Sequence, residues 1–339
     1  MFNGPVDFVV LWVDGNDPKL RAKRRAALPQ NDGQKEEAAD EARFRDFDVF
    51  RYWFRAVERY APWVHRVYLV TDEQKPAWLN TACEKVRVVD HSEILRQEWR
   101  PCFNSCAIEA NVHRIPGLSE QFVYFNDDMY LNRPVQPSDF FDDKGNPCYY
   151  AGQWPFHPAA LTTHEYILYN DMAMINRHLS GKKETRALYL GRLLKPVYGK
   201  GAFYNFLFMF TGMLLKFKDE HIAFPIRKST MEKVWETEKE VLEKTSSHHF
   251  RDVSDVNIFV FRYWEIVFGS FRPVGLQGML YTLSKDAPEI WAEDILRQKH
   301  KLICLNDTRM TAERTELVRA KQQEVFGRVF PDRSPFEKE

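Results

Sequence analysis

Within its first 130 residues the chain repeatedly sets a short apolar run just before an acidic residue: "VDFVVLWVDG", "HRVYLVTDEQKP", "EKVRVVDHSEI" and "EQFVYFNDD". Runs of this length are too short for typical helices and read as buried strands. Between the first two lies "DFDVFRYWFRAVERYAPWV", where Phe47, Phe50, Phe54 and Val57 recur at three- and four-residue steps. That spacing predicts an amphipathic helix ending near Pro62. "CFNSCAIEANVHRI" predicts a second helix, with Asn104 or Ser105 as its N-cap. Strand, helix and strand in alternation point to an α/β fold with a mainly parallel sheet. Such sheets bind ligands outside the carboxyl ends of their strands. Asp14, Asp17, Asp72, Asp90, Asp127 and Asp128 all fall there.

From about residue 160 the pattern turns mostly helical, as in "EYILYNDMAMINRHL", "KSTMEKVWETEKEVLEKT" and "DVNIFVFRYWEIVFG". This predicts a helical C-terminal layer or lid. The most apolar window, Ala202 to Phe217, is shorter than the roughly 20 residues that span a bilayer, and it reads as a buried helix. A catalytic core over 1–155 and 218–310 is expected, with a helical insertion at 156–217 and a C-terminal helix and tail at 311–339. The block-charged stretch at about 20–42 reads as a surface excursion containing a helix and a mobile loop.

Lysine plus arginine and aspartate plus glutamate both total 48, so net charge gives no reason to expect nucleic acid. The N-terminus lacks the basic and apolar regions of a secretory signal, which leads us to expect a cytoplasmic protein. Five scattered cysteines suit reduced, mostly buried thiols better than a disulfide framework or a zinc cluster.

Asp127 and Asp128 repel each other unless a divalent cation sits between them and phosphate oxygens. Magnesium or manganese suits such oxygen donors, and the DxD-like acids of nucleotide-sugar transferases, also α/β (GT-A/Rossmann-like), serve that purpose. The competing explanation is an ordinary Asn-Asp-Asp turn.

The segments "DFVVLWVDGNDP", "FRYWFRAVERYAPWVHRVYLVTDEQKPAWLN" with "FNSCAIEANVHRIPGLSEQFVYFNDDMYLNRP", "HIAFPIRKSTMEKVWE" and "HFRDVSDVNIFVFRYWEIVFG" resemble, in order, four blocks of the Stealth family of hexose-1-phosphate transferases. The tail "LICLNDT…FGRVFPDRSPFE" resembles the bacterial branch of that family. The resemblance implies transfer of a sugar-1-phosphate from a UDP-hexose (UDP-GlcNAc-like) to a hydroxyl of a glycan or lipid-linked glycan, with release of UMP, in capsule or surface-glycan synthesis.

It also implies site residues. Asp127 and Asp128 would hold the metal, and His221, heading the third block, would take a proton. Arg251 matches the arginine of the fourth block and would grip phosphate oxygens, where a surface ion pair is the plain alternative. Asp7 matches the acid that begins the first block, whereas strand polarity favours Asp14 and Asp17. Arg51 and Arg55, one turn apart, would line a pyrophosphate site or face solvent. Asn104, Ser105, Glu109 and His113 on one helix, together with Trp12 and Asp17, complete the expected donor site. A glycosyltransferase releasing UDP and a non-catalytic nucleotide- or glycan-binding protein remain the alternatives. Any membrane contact would be peripheral, at the inner face, through partners or the aromatic-rich helix around Phe206 to Phe210.

Overall fold

In the computed structural model, which describes residues 2–28, 44–155, 161–219 and 221–338, the apolar runs are strands β1 (Val6–Leu11), β2 (Val67–Thr71), β3 (Val86–Asp90) and β4 (Gln121–Asn126). They pair in parallel, in the order β3-β2-β1-β4. Asp7 pairs in register with Phe122 and Leu11 with Asn126, so residues 12–14 and 127–128 leave the sheet at the same end.

Alternate side chains of these strands point to opposite faces. Val9, Val70, Val89 and Tyr124 enter one core, and Phe8, Val10, Leu69 and Phe125 enter the other. The first face is covered by α3 (Ser105–Asn111), α4 (Thr163–Asn176), α7 (Lys228–Thr237), α8 (Lys239–Ser247) and α9 (Phe259–Val267). The second is covered by α2 (Phe50–Tyr60), α10 (Pro288–Arg297) and α11 (Ala312–Val329). The result is an α/β fold with helices on both sides of the sheet. Fully buried aromatics such as Phe8 and Phe54 contribute about 1.5–3 kcal/mol each to this packing.

Beyond the short parallel pair β6 (Cys148–Tyr149) and β8 (Arg272–Pro273), four further strands among the described residues complete the surroundings of the sheet's carboxyl end. β7 (Phe224–Arg227) runs antiparallel to β4, with Phe224 opposite Tyr124. Its N-terminal end therefore returns to the end where β4 finishes. β5 (Met129–Leu131) continues from β4 after a two-residue turn but joins a second sheet, where β10 (Leu302–Asn306) lies between it and β9 (Gly278–Thr282). β10 is antiparallel to β5, with Cys304 opposite Met129, so its carboxyl end also arrives at the turn.

The second half thus holds strands that the helical expectation did not include. β7, with four residues, is too short to show a local period, and β9 carries no buried apolar run, since Met279 and Leu280 are exposed. "KSTMEKVWETEKEVLEKT" is two helices parted at Glu238. The charged excursion begins as α1 (Pro18–Ala27), capped by Asp17; the loop expected after it lies outside the described residues. α5 (Lys182–Leu188) and α6 (Lys200–Phe208) form the middle of the chain, and α6 is not a buried helix. Its Phe203 and Phe206 are 61% and 48% exposed.

Candidate active site

A cleft of about 1240 Å³ opens at the carboxyl end of the main sheet. Trp12, Ser105, Glu109, Asp127, Asp128, His221 and Arg251 all line it, beside Asp46, His164, Lys216 and Asp307.

The acidic side is built by strand ends. Asp127 and Asp128 form the turn between β4 and β5, and the backbone N–H of Leu305 donates to the Asp128 carbonyl at 2.9 Å. This ties β10 to the turn and brings Asp307 beside it. Asp307 is itself paired with Arg45 at 3.0 Å. Burial, and then the fields of Asp128, Asp46 and Asp307, push the Asp127 carboxyl well above the usual carboxylate range. Burial likewise raises Asp46, with the charge of Asp14 adding to it and the Asp48 N–H bond working against it. Asp128 accepts from the Cys304 thiol through Oδ2 at 3.2 Å, while its Oδ1 is buried with no hydrogen-bond partner.

The basic side comes from the segments around β7 and α9. Because β7 starts at the cleft end, His221 stands there, with its Nε2 3.8 Å from Oδ2 of Asp128. It is held at φ +43°, a left-handed conformation uncommon for a side-chain-bearing residue and frequent at functional sites. Arg251 donates to Oγ of Ser105, the first residue of α3, at 2.7 Å. Burial lowers the pKa of His164, and the charges of Arg251, His221 and Lys216 add to that effect. Carboxylates therefore gather at the strand ends, while Arg251, His221 and the Lys216–Asp219 ion pair line the rest of the cleft.

Asp128, His221 and Cys304 offer oxygen, nitrogen and sulfur atoms within 4.8 Å of one another. The thiol's pKa is pushed well above its ordinary value by burial and by Asp128, so Cys304 acts as a hydrogen-bond donor to that carboxylate. The unpartnered Asp128 Oδ1 and the crowded carboxyl of Asp127 instead present hard oxygen donors, which fit magnesium or manganese.

Other expected site residues stand outside the lining. Asp7 is fully buried toward the start of β1, about 13 Å of strand before Leu11, where it pairs with His65 at 2.8 Å and accepts from the N–H of Ser119. Asp14 accepts the Asn16 N–H at 2.8 Å behind Asp46, and Asp17 is the α1 cap, bonded also to Gln74. Arg51 pairs with Asp48. Arg55 makes a two-pronged ion pair with Glu337, both bonds 2.7 Å, and so holds the C-terminal tail. Asn104 caps α3 from the interior and bonds Asp255. His113 packs on Trp235, and burial pushes its pKa down to about 3. Helical spacing placed Ser105, Glu109 and His113 together, but the last turn narrows to a 3-10 helix at Val112–Arg114 and turns His113 away from the cleft.

Asp46, His164 and Asp307 were not foreseen. Only Asp307 had a visible signal: "LICLND" repeats the strand-then-acid arrangement of "FVYFNDD".

Four sequence regions characteristic of Stealth proteins match this chain. Conserved region 1 matches residues 4–32, region 2 matches 43–149, region 3 matches 220–264 and region 4 matches 293–339. The chain is 40% identical over 335 residues to the receptor polysaccharide phosphotransferase WefC of Streptococcus oralis, covering 98% of this chain and 99% of that one. This protein belongs to the Stealth family. The Stealth chain is also 39% identical to the capsular polysaccharide phosphotransferase WcwK of Streptococcus pneumoniae over 335 residues, with 98% and 99% covered. It is 38% identical to the exopolysaccharide phosphotransferase cps2G of Lactiplantibacillus plantarum over 349 residues, with 99% and 98% covered. Like them it is an enzyme of the phosphotransferase class. Among solved structures it is similar to the galactosyltransferase LgtC in complex with donor and acceptor sugar analogs, at 9% identity and a TM-score of 0.41, with 95% of each chain covered.

The region boundaries correct one expectation. The segments beginning at His221 and His249 both fall within conserved region 3, and the C-terminal tail is conserved region 4. All four Stealth regions reach the cleft: Trp12 from the first, Asp127 and Asp128 from the second, His221 and Arg251 from the third, Asp307 from the fourth.

Proposed function

We propose that this Stealth protein transfers a hexose-1-phosphate, of the N-acetylhexosamine type, from a UDP-sugar to a hydroxyl of a glycan acceptor in capsular or surface polysaccharide synthesis. The observation that carries this reading is the cleft's mixed charge: crowded carboxylates at the strand ends share it with the Arg251 guanidinium and with His221, which stands beside Asp128. A lone sugar site has little need of either. A metal–diphosphate has need of both.

Asp127 and Asp128 would hold a divalent cation, with Asp307 and Asp46 adding to the negative field around it. When bound, magnesium or manganese would disperse charge on the diphosphate. Arg251, already aimed by Ser105, grips oxygens of the transferred phosphoryl group. His221 takes the proton of the attacking hydroxyl at Nε2. The acceptor oxygen bonds to the β-phosphorus, the bond from that phosphorus to the bridging oxygen breaks, and UMP leaves with the electron pair. The cleft volume exceeds the roughly 300–1,000 Å³ of common small-ligand sites, which suits two substrates held together.

The deciding experiment incubates purified protein with magnesium, a panel of UDP-hexoses and short glycan acceptors, then separates the nucleotides by chromatography. UMP with a phosphodiester-linked product supports attack at phosphorus. UDP with a glycosidic product refutes it.

A further inference from the structure

In α6 the residues Phe203, Phe206 and Leu207, with Phe210 just beyond its end, recur at the spacing of a single helix face. They are 61%, 48%, 44% and 64% exposed. The opposite face, Gly201, Asn205 and Met209, is buried. The Asn205 amide donates to the carbonyls of Ala151 and Leu193 and accepts the Gln153 N–H, all within 3.0 Å. At Gly201 a Cβ would come within 2.7 Å of Gly152 Cα, so the helix is seated by its small, polar side. A water-facing helix normally has the reverse arrangement. Leu190, Val197 and Met213, in the same segment, are also about half exposed.

The charge of this segment is as unusual as its polarity. The whole chain is balanced at 48 to 48, yet between Gly181 and Lys218 there are eight lysines and arginines and one acid, Glu184. Among the described residues, Lys182, Lys183, Arg186, Lys195 and Lys200 are in no ion pair. The Lys182 stem lies against Gly212, beside the aromatic face, and Lys200 begins α6.

We propose that this outward face of α6, with its basic surround, docks on an anionic lipid bilayer surface. Exposed phenylalanines enter the headgroup boundary while lysines meet the lipid phosphates. A second copy of the chain is the poorer occupant, because pairing the face with itself would press two basic rims together. The contact is interfacial: among the described residues no helix is long and apolar enough to cross a membrane. It is also continuous with the cleft along the chain. Asn176 of α4 bonds both the N–H and the carbonyl of Leu214 at 2.9 Å, and the chain then runs on through Lys216 and Asp219 to His221, all in the cleft lining. The docking itself does not depend on the reaction proposed above.

The test is sedimentation of the full chain with vesicles of phosphatidylcholine alone and with vesicles containing about a third phosphatidylglycerol. Binding is expected to the anionic vesicles and to weaken with added salt. The F203S/F206S/F210S variant should bind at least about tenfold less while keeping the wild-type circular dichroism and melting curve. A Phe206→Trp variant, which preserves the aromatic face, should show a blue-shifted emission with anionic vesicles. The proposal is overturned by absence of binding to anionic vesicles, by equal binding of the triple variant, by unshifted Trp emission, or by light scattering that shows a wild-type dimer made monomeric by the triple substitution.

Discussion

Nε2 of His221 stands 3.8 Å from Oδ2 of Asp128, joining the start of one strand to the turn after another. The antiparallel pairing of β7 with β4 makes this meeting possible. The proposed base and the proposed metal-binding carboxylate are thereby set side by side, where an acceptor hydroxyl could reach both the imidazole and a cation-bound phosphate.

His221→Ala, Arg251→Ala and Asp128→Asn are each expected to lower turnover at least about a hundredfold, the scale for losing an acid–base or charge-stabilising group. UMP release at saturating donor is the measurement, with the melting curve as a check on folding. Near-normal turnover in one variant removes that residue from its role. Ser105→Ala, which removes one hydrogen bond from the Arg251 guanidinium, should cost less, about three- to tenfold.

Asp127 predicts a pH dependence in the chelator-treated protein. Its folded carboxyl is raised by burial and by Asp128 above the unfolded value near 3.9. The protonated form therefore favours folding: the contribution is fully present below about pH 4 and is lost as pH rises through the raised folded value. The melting temperature of Asp127→Asn minus that of wild type should thus grow between pH 5 and pH 8. Magnesium or manganese at pH 8 should raise the wild type and leave the variant nearly unmoved. A flat difference curve would contradict this account.

Arg55 should matter for stability and not for the donor. Its guanidinium bonds both carboxylate oxygens of Glu337 and the carbonyl of Phe330, and its side chain is only 11% exposed. Arg55→Ala is expected to cost about 2–3 kcal/mol in a denaturant melt, the scale of charge-assisted bonds lost from a shielded site. The KM for the UDP-sugar should not change. A raised KM with unchanged stability would return Arg55 to the donor site.

The sheet was legible because four apolar runs each stopped at an acid, and β1 to β4 need only their own residues to announce themselves. Asp127 and Asp128 were legible for the same reason. β10 ends the same way, in "LICLND", and was missed inside a mostly helical half, while β9 ends without an acid and pairs with β10. Arg51 takes the solvent-facing alternative, beside Asp48, whereas Arg55 and His113 show that helical spacing says which residues share a face and not what that face meets. For Arg55 it meets the tail, and for His113 it meets Trp235. Asp7 shows the limit of resemblance: a matched acid can serve the strand it sits on. The α6 window misled in the opposite way, because apolar content was taken to mean burial, whereas Asn205 and Gly201 occupy the inner face.

The loop that carries Arg251 gives the last prediction. Asp255 is fully buried and binds the Nδ2 of Asn104 at 2.8 Å, the Nδ1 of His248 at 2.6 Å and the N–H of Asp252 at 2.9 Å. These bonds fasten both ends of the segment 248–255 to the cap of α3, one residue from the Ser105 hydroxyl that receives Arg251. Asn104 is therefore a positioning residue, one step behind the cleft. Asn104→Ala should cost about 1–3 kcal/mol, since it strips a partner from a buried carboxylate. It should also lower kcat about tenfold with a smaller change in KM. The His248 pKa is raised chiefly by its bond to Asp255, so its support is fully present below the unfolded value near 6.5 and is lost as pH rises through the folded value. His248→Gln should remove that part of the pH dependence of stability, falling below wild type at low pH and approaching it at high pH, where the wild-type imidazole is neutral. If Asn104→Ala lowers stability with kcat unchanged, the fastening serves only the fold and Arg251 finds its place without it.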